Sequence, residues 1–299
     1  MPTTARRSAL GTAALALFLL AGTGCSSGSG QGDGDSGVLR GLSTLAESNG
    51  SNGVSYLDAA KARELRKGDE KRFALVARPG SGLLTEYEPG PLSQHVKVTQ
   101  IDTAVDTKNA GHWEGSFDAA AITAALKSNG YRQSGDGRTW TRTGRTGPSF
   151  QISEDEISYS SQGRTPMAAV HPEQGASLAD EKEFRRAAEC LGDTYWADFS
   201  PLSSTKPVRL SAVGQLAASS AKNTEVLCLV VKDAATANRA AAKLRSVVRT
   251  RSPKFDGTKV TVEKGDQPLV RAVVPDTSAQ RAGRLVVTDL ELWMSTTEL

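Results

Sequence analysis

Between residues 72 and 293 the chain breaks again and again into short segments in which apolar and polar residues alternate, as in Val260-Thr261-Val262-Glu263 and Ile157-Ser158-Tyr159. A period of two sends successive side chains to opposite faces of a pleated sheet, so these segments fit strands with one covered and one wet face. Sheets of that kind are mostly antiparallel. Strands are expected at 72–77, 96–105, 112–117, 138–142, 150–153 and 156–160, and then at 194–199, 208–218, 225–232, 259–263, 269–274 and 285–293. Turn-rich stretches such as Ser134-Gly135-Asp136-Gly137 fit hairpin connections.

A second period marks the helices. Phe184, Ala187, Ala188 and Leu191 recur at helical spacing, as do Ala237, Ala241, Leu244 and Val248, and Ile122, Ala125 and Leu126 make a shorter stripe that stops at Asn129-Gly130. Each stripe implies one buried face. Asp118 and Asp233 stand where N-caps belong, a further helix is expected at 57–67 near Asp58, and Ser177-x-x-Asp180 reads as a capping box opening a helix at 178–191.

The same elements recur along the chain. At an offset of 115 residues, Val98-Thr99-Gln100-Ile101 aligns with Val213-Gly214-Gln215-Leu216, Asp118-Ala119-Ala120 with Asp233-Ala234-Ala235, and Trp113 with Cys228. The fold class expected is therefore α+β: two related halves, each with helices packed on one face of an antiparallel β-sheet. The domains are expected at 51–165 and 166–299. Trp113, Trp140, Trp196 and Trp293 fall on or near strand segments and are expected in the cores.

The N-terminus reads as an address. Arg6 and Arg7 precede an apolar run at 13–21, then the small residues Gly22, Thr23 and Gly24, then Cys25. This is the layout of a secretory signal peptide over 1–24. The paired arginines leave twin-arginine export open, although no matching residues follow them. From Cys25 to position 37, thirteen residues include five Gly and four Ser, a composition that cannot build a core. A flexible tether is expected over 25–50.

Ala21-Gly22-Thr23-Gly24-Cys25 resembles the lipobox of bacterial lipoproteins, with Gly22 where that pattern usually carries Leu. Together with the tether, with Ser116-Phe117-Asp118 leading into 122–131, and with Ala188-Glu189-Cys190-Leu191-Gly192-Asp193, the chain resembles a broad group of actinobacterial secreted lipoproteins. The resemblance implies cleavage before Cys25, a diacylglyceryl group on its thiol (palmitate being a typical acyl chain) and residence on the outer face of the cell membrane. It supplies no catalytic motif.

Export bears on the other cysteines. Outside the cytoplasm Cys190 and Cys228 are expected to pair, the first on a helix and the second in the apolar strand at 225–232. Loss of Arg6 and Arg7 with the leader leaves 34 basic against 33 acidic residues, so the mature chain is nearly neutral. A globally basic nucleic-acid binder is excluded on that count. With 38% hydrophobic and 23% charged residues, so are a wholly disordered chain and a polytopic membrane protein.

Catalytic motifs do not assemble. Gly24-Cys25-Ser26-Ser27-Gly28 matches G-x-S-x-G but straddles the cleavage point, and Gly32-Asp33-Gly34-Asp35-Ser36-Gly37 matches G-x-G-x-x-G without a preceding strand. Ser203-x-x-Lys206 and Ser219-x-x-Lys222 lack the partner motifs of penicillin-recognising enzymes. His95, His112 and His171 show no metal-ligand spacing and are expected as scattered surface or strand-end groups, and Glu154-Asp155-Glu156 as a solvated hairpin turn. No catalytic residue, metal or cofactor is therefore expected.

One cluster suggests a contact surface. Arg239, Lys243, Arg245, Arg249, Arg251 and Lys254 follow one another with no acidic residue between them, as a face for anionic headgroups or wall polymers would require. The expected partners are the membrane, through the anchor, and an envelope component or a protein. The function expected is non-catalytic binding. A carrier of an amphiphilic molecule, an envelope hydrolase and an assembly scaffold are the competing readings.

Overall fold

Asp58, Asp118 and Asp233 each end an extended segment and start a helix, their carboxylates accepting the backbone N–H of Lys61, Ala121 and Thr236. Each satisfies one donor that the first helical turn leaves open. The computed structural model describes residues 36–84, 92–142, 147–161 and 166–296, together with Met1. Met1 apart, the leader expected at 1–24 and Cys25 lie outside the described residues. The first half contains α1 (Gly37–Ser43), β1 (Val54–Asp58), α2 (Ala59–Gly68), α3 (Glu70–Phe73), β2 (Ile101–Thr107), β3 (Ala110–Gly115), α4 (Ala119–Ser128), β4 (Tyr131–Gln133), β5 (Thr139–Arg142), β6 (Ser149–Ile152) and β7 (Glu156–Ser160). The second contains α5 (Lys182–Leu191), β8 (Trp196–Pro201), β9 (Val208–Ser219), β10 (Lys222–Val231), α6 (Ala234–Thr250), β11 (Lys259–Glu263), β12 (Leu269–Pro275), α7 (Arg284–Val287) and α8 (Glu291–Met294).

Among the described residues all the strands join one 12-stranded sheet, in the order β11-β12-β10-β9-β8-β1-β2-β3-β7-β6-β5-β4. Every pairing is antiparallel. The fold is α+β, as the alternation implies. The boundary expected at 165/166 falls within this sheet, because β1 pairs with β8 from Val54↔Phe199 to Leu57↔Trp196.

Helices cover both faces of the sheet rather than one. Val226, Cys228 and Val230 of β10 join a core under α1 and α5, while Leu227, Leu229 and Val231 join a core under α6. On that second face α2 and α4 close a further core around Trp113, Phe150 and Ile157, and Trp196 packs against both cores. The physical reason lies in β10 itself: a nearly continuous apolar run belongs to a strand buried on both sides.

Several segments depart from expectation. Residues 37–50 belong to the fold rather than the tether, since Val38, Leu39, Leu42 and Leu45 are buried. α1 lies so close to the sheet that a Cβ on Gly41 would stand 2.8 Å from the Tyr56 ring. β1 is a strand where only the following helix was expected. Residues 72–77 finish α3 and run on as bends, and Val98–Gln100 is a 3-10 turn ahead of β2. Ser177 and Asp180 do bond to each other (2.6 Å between Oγ and Oδ2), but in a turn that precedes α5, whose N-cap is Glu181. Residues 285–293 form α7 and α8 rather than a strand, because the Glu225 carboxylate accepts the backbone N–H of Arg284 and Leu285 and so starts a helical turn. The offset of 115 relates the N-caps Asp118 and Asp233, but not the strands. Val98 lies in a turn and Val213 within β9, and the buried Trp113 and Cys228 face opposite sides of the sheet.

Candidate functional site

Two polar sites interrupt the apolar faces. The first sits on the central strands beside α7 and α8. Asp198 and Ser200 of β8 lie directly opposite Val213 and Ser211 of β9. With Val286 and Trp293 these four residues line a pocket of about 220 Å³. Trp293 Nε1 donates to Ser211 Oγ (2.9 Å), and Ser200 Oγ donates to Asp198 (3.2 Å). Burial pushes the Asp198 carboxyl above its ordinary range. The pocket offers hydroxyls and one carboxyl to a small polar group.

The second site is on the opposite face. His112 of β3 pairs with Ser158 of β7, and Glu156 lies two residues before Ser158 and so on the same face. His171, in the segment that leads to α5, closes over them. Ser158 Oγ is 3.0 Å from His112 Nδ1, 2.9 Å from His171 Nε2 and 2.9 Å from Glu156 Oε1. Glu156 Oε1 is itself 3.4 Å from His112 Nδ1 and 3.0 Å from His171 Nε2. The hydrogen bond with His171 is the main cause holding the Glu156 carboxyl down to about 2. His112 also keeps Glu114 below the ordinary carboxylate range, and Thr103 Oγ1 donates to Glu114 (2.7 Å). A cavity of about 90 Å³ between α1 and the sheet reaches His112 and Glu114, with Arg40, Thr44 and Tyr56 on its other walls.

The expectation of scattered histidines therefore fails for two of the three. His112, Glu156 and His171 form a group of ligating side chains whose donor atoms lie within 4.8 Å of one another. Linear spacing gave no sign of this, because strand pairing across 46 residues brings the partners together.

Two further polar clusters are structural. Asp106 is buried, and its Oδ1 accepts Trp113 Nε1 and Tyr159 OH, both at 2.7 Å. Desolvation outweighs these bonds and pushes its carboxyl up to about 6. An acid with a raised folded value favours the fold while it is protonated, and that contribution is lost as pH rises through the folded value. Ordinary aspartate titrates near 4, so about 2 kcal/mol of the total is lost between pH 4 and pH 7. Asp106→Asn is neutral throughout and keeps an oxygen for Trp113 and Tyr159. Urea unfolding at pH 4, 5.5 and 7 is expected to show the variant gaining on the wild type by about that amount. A difference that stays flat with pH would contradict the assignment. The other cluster surrounds Arg284, which is 2% exposed, and ties Asp276, Asp289 and Glu225 to the C-terminal segment.

Cys190 and Cys228 are joined as a disulfide between α5 and β10, with Cα atoms 6.2 Å apart. Of the basic cluster, Arg239, Lys243, Arg245, Arg249 and Arg251 are exposed on α6 and at its end. Lys254 is not part of that face, since its ammonium pairs with Asp289 and Glu291 at 2.9 Å. The two Ser-x-x-Lys matches fall at the turns joining β8 to β9 and β9 to β10. Glu154-Asp155 turns the β6–β7 hairpin and borders a shallow groove with Asp118. Trp113 and Trp140 are buried, while Trp196 and Trp293 are partly so. No protein-family model matches the chain, and no curated protein or solved structure shows significant similarity to it.

Proposed function

We propose that the protein is an extracytoplasmic lipoprotein, held to the outer face of the cell membrane by an acylated Cys25, which acts by binding rather than by catalysis. The buried Cys190–Cys228 disulfide carries the location, because such bonds form and persist in oxidising compartments. The anchor draws on Arg6, Arg7, the apolar run at 13–21 and Cys25, and on Ser36, which caps α1 eleven residues after that cysteine. The intervening Gly/Ser segment suits a tether. Two acyl chains hold a protein to a bilayer where one gives only marginal binding.

Binding, as against chemistry, is favoured by the character of the two sites. Ser158 is buried and its hydroxyl is already engaged by His112, Glu156 and His171, an arrangement that suits holding a small ligand better than attacking a bulky substrate. Asp198 has a desolvated carboxyl, the feature an envelope hydrolase would need, but the lining of its pocket holds no histidine or second carboxylate to share a proton. Both cavities mix apolar walls with a few polar groups, and at about 220 and 90 Å³ they are small for an acyl chain and suit a small ligand better. The exposed cations of α6 suit contact with anionic headgroups or wall polymers.

A common origin for the two halves has topological support. Outward from β1·β8 the order runs β1-β2-β3-β7-β6 on one side and β8-β9-β10-β12-β11 on the other. In each half an aspartate-capped helix follows the third of these strands in the chain, and β4 and β5 are then an insertion in the first half. Fractionation of cells expressing the wild type and Cys25→Ser tests the anchor. The wild type is expected with the membranes and the variant in the soluble fraction, and the same soluble distribution for both would refute it.

A further inference from the structure

We propose that His112, Glu156 and His171 bind a divalent d-block cation, with zinc as the reference ion. The inference names a ligand for the second site, goes beyond the binding reading above, and stands whether or not Cys25 is acylated. Four donor atoms meet at one point. His112 Nδ1, His171 Nε2, Glu156 Oε1 and Ser158 Oγ are separated by 2.9–3.4 Å along five of the six edges they define. Zinc bonds of about 2.0–2.1 Å to nitrogen and oxygen place tetrahedral ligands roughly 3.3–3.4 Å apart. A cation at the centre therefore asks the side chains to spread by a few tenths of an ångström.

The donor set selects the class of ion. Two imidazoles and one carboxylate suit zinc, copper, nickel or iron, whereas calcium and magnesium take oxygen ligands. The fourth corner belongs to the Ser158 hydroxyl or to a water that displaces it, as at zinc sites with three protein ligands. Access is one-sided: the His112 side chain is 8% exposed, while those of Glu156 and His171 are 37% and 41% exposed. The ion reaches the site past His171 and rests against the sheet.

Two supports resemble those found around bound metals. The second nitrogen of His112, Nε2, faces the Glu114 carboxylate at 3.8 Å, and Thr103 fixes that carboxylate from the neighbouring strand. That spacing is an ion-pair contact, and closing it to hydrogen-bond length on metal binding would orient the ligating imidazole. His171 has φ +57, the one positive φ among the described residues other than glycine. Its N–H donates to Thr44 O (3.0 Å), which holds the ring over Glu156. Non-glycine residues adopt that region uncommonly, His more readily than most, and such residues cluster at ligand sites.

The test is zinc binding by the tag-free full chain in detergent, measured by competition with a chromophoric chelator after metal stripping. One zinc per chain is expected at micromolar affinity or tighter, and Co²⁺ is expected to give the visible bands of a tetrahedral site. His171→Ala and Glu156→Gln change partly exposed side chains and are expected to weaken zinc binding at least 100-fold. His171→Gly relieves the backbone, so any gain it brings in melting temperature, together with loss of zinc, separates ligation from a purely structural role. Absence of saturable zinc binding by the wild type would overturn the proposal. So would affinity unchanged in both His171→Ala and Glu156→Gln, or a preference for calcium or magnesium.

Discussion

Replacing Cys190 and Cys228 together by alanine is expected to lower the unfolding free energy by about 4 kcal/mol. The disulfide closes a loop with a sequence separation of 38 residues. In the chain-entropy picture, restricting a loop of that length in the unfolded chain stabilises the fold by about 4 kcal/mol. The native state gains as well. Both sulfurs sit in the core under α5 and α1, and Arg271 Nε donates to the Cys190 carbonyl (2.9 Å), so the end of α5 is held to β12 at the same point. For a domain of this size each kcal/mol moves the melting temperature by about 2–4 °C, so the double variant should melt roughly 8–16 °C lower. Chemical denaturation of both proteins, with and without reductant, checks this. Wild-type stability that does not respond to reductant, with a loss below about 1 kcal/mol in the variant, would show that the bridge contributes little.

Arg284→Met should cost about as much, roughly 3–5 kcal/mol, because it breaks a buried ion pair from one side. The guanidinium reaches Asp276 (2.8 Å) and Asp289 (2.7 Å) and lies over the Phe255 ring at 5.5 Å. Glu225, fully buried below it, accepts the backbone N–H of Arg284 and Leu285 at 3.0 and 3.2 Å. Burial already pushes the Asp276 and Glu225 carboxyls up, and Arg284 opposes that shift. Without the cation the Asp276 carboxyl rises further, and the folded protein takes up a proton there more readily than the unfolded chain. Stability of the variant must then increase as pH falls, so its deficit should be smaller at pH 5 than at pH 7. Adding Asp276→Asn to the variant removes one uncompensated charge and is expected to recover part of the loss. A pH-independent deficit, with no recovery in the double variant, would mean that lost packing rather than stranded charge dominates.

How far the sequence announced this fold depends on where each signal lies. Alternation located most strands, and β11 falls at 259–263 as expected, because its pattern is local. β1 was missed: Val54-Ser55-Tyr56-Leu57-Asp58 is short and runs directly into α2, so the helix periodicity absorbed its end. The covering of both faces was present in Val226-Leu227-Cys228-Leu229-Val230, a run with no wet side, and in β12, while β11 and β7 alternate. The spacing of Val38, Leu39, Leu42 and Leu45 is helical, but the neighbouring Gly/Ser composition hid it. Residues 285–293 look apolar enough for a strand, and the group that makes them helical, Glu225, lies on a distant strand.

The candidate sites were less legible for the same reason. His112, Glu156, Ser158 and His171 meet through the β3–β7 register and a backbone turn at His171, and neither leaves a motif in the linear chain. Asp106, Trp113 and Tyr159 likewise come from three adjacent strands. The disulfide was legible because, in a chain read as exported, two thiols restrict the pairing to one choice once Cys25 is assigned to the proposed anchor. The basic cluster was legible as a run, yet only its exposed members can meet a surface, since Lys254 closes an ion-pair network with Asp289 and Glu291.

The most direct test of the lipoprotein account is the intact mass of the protein purified from an actinobacterial host, measured beside Cys25→Ser. The account predicts a wild-type chain that begins at Cys25 and carries the mass of a diacylglyceryl group, with no such addition on the variant. A wild-type chain of unmodified mass, or one cleaved away from Cys25, would contradict it and leave a diffusible protein in its place.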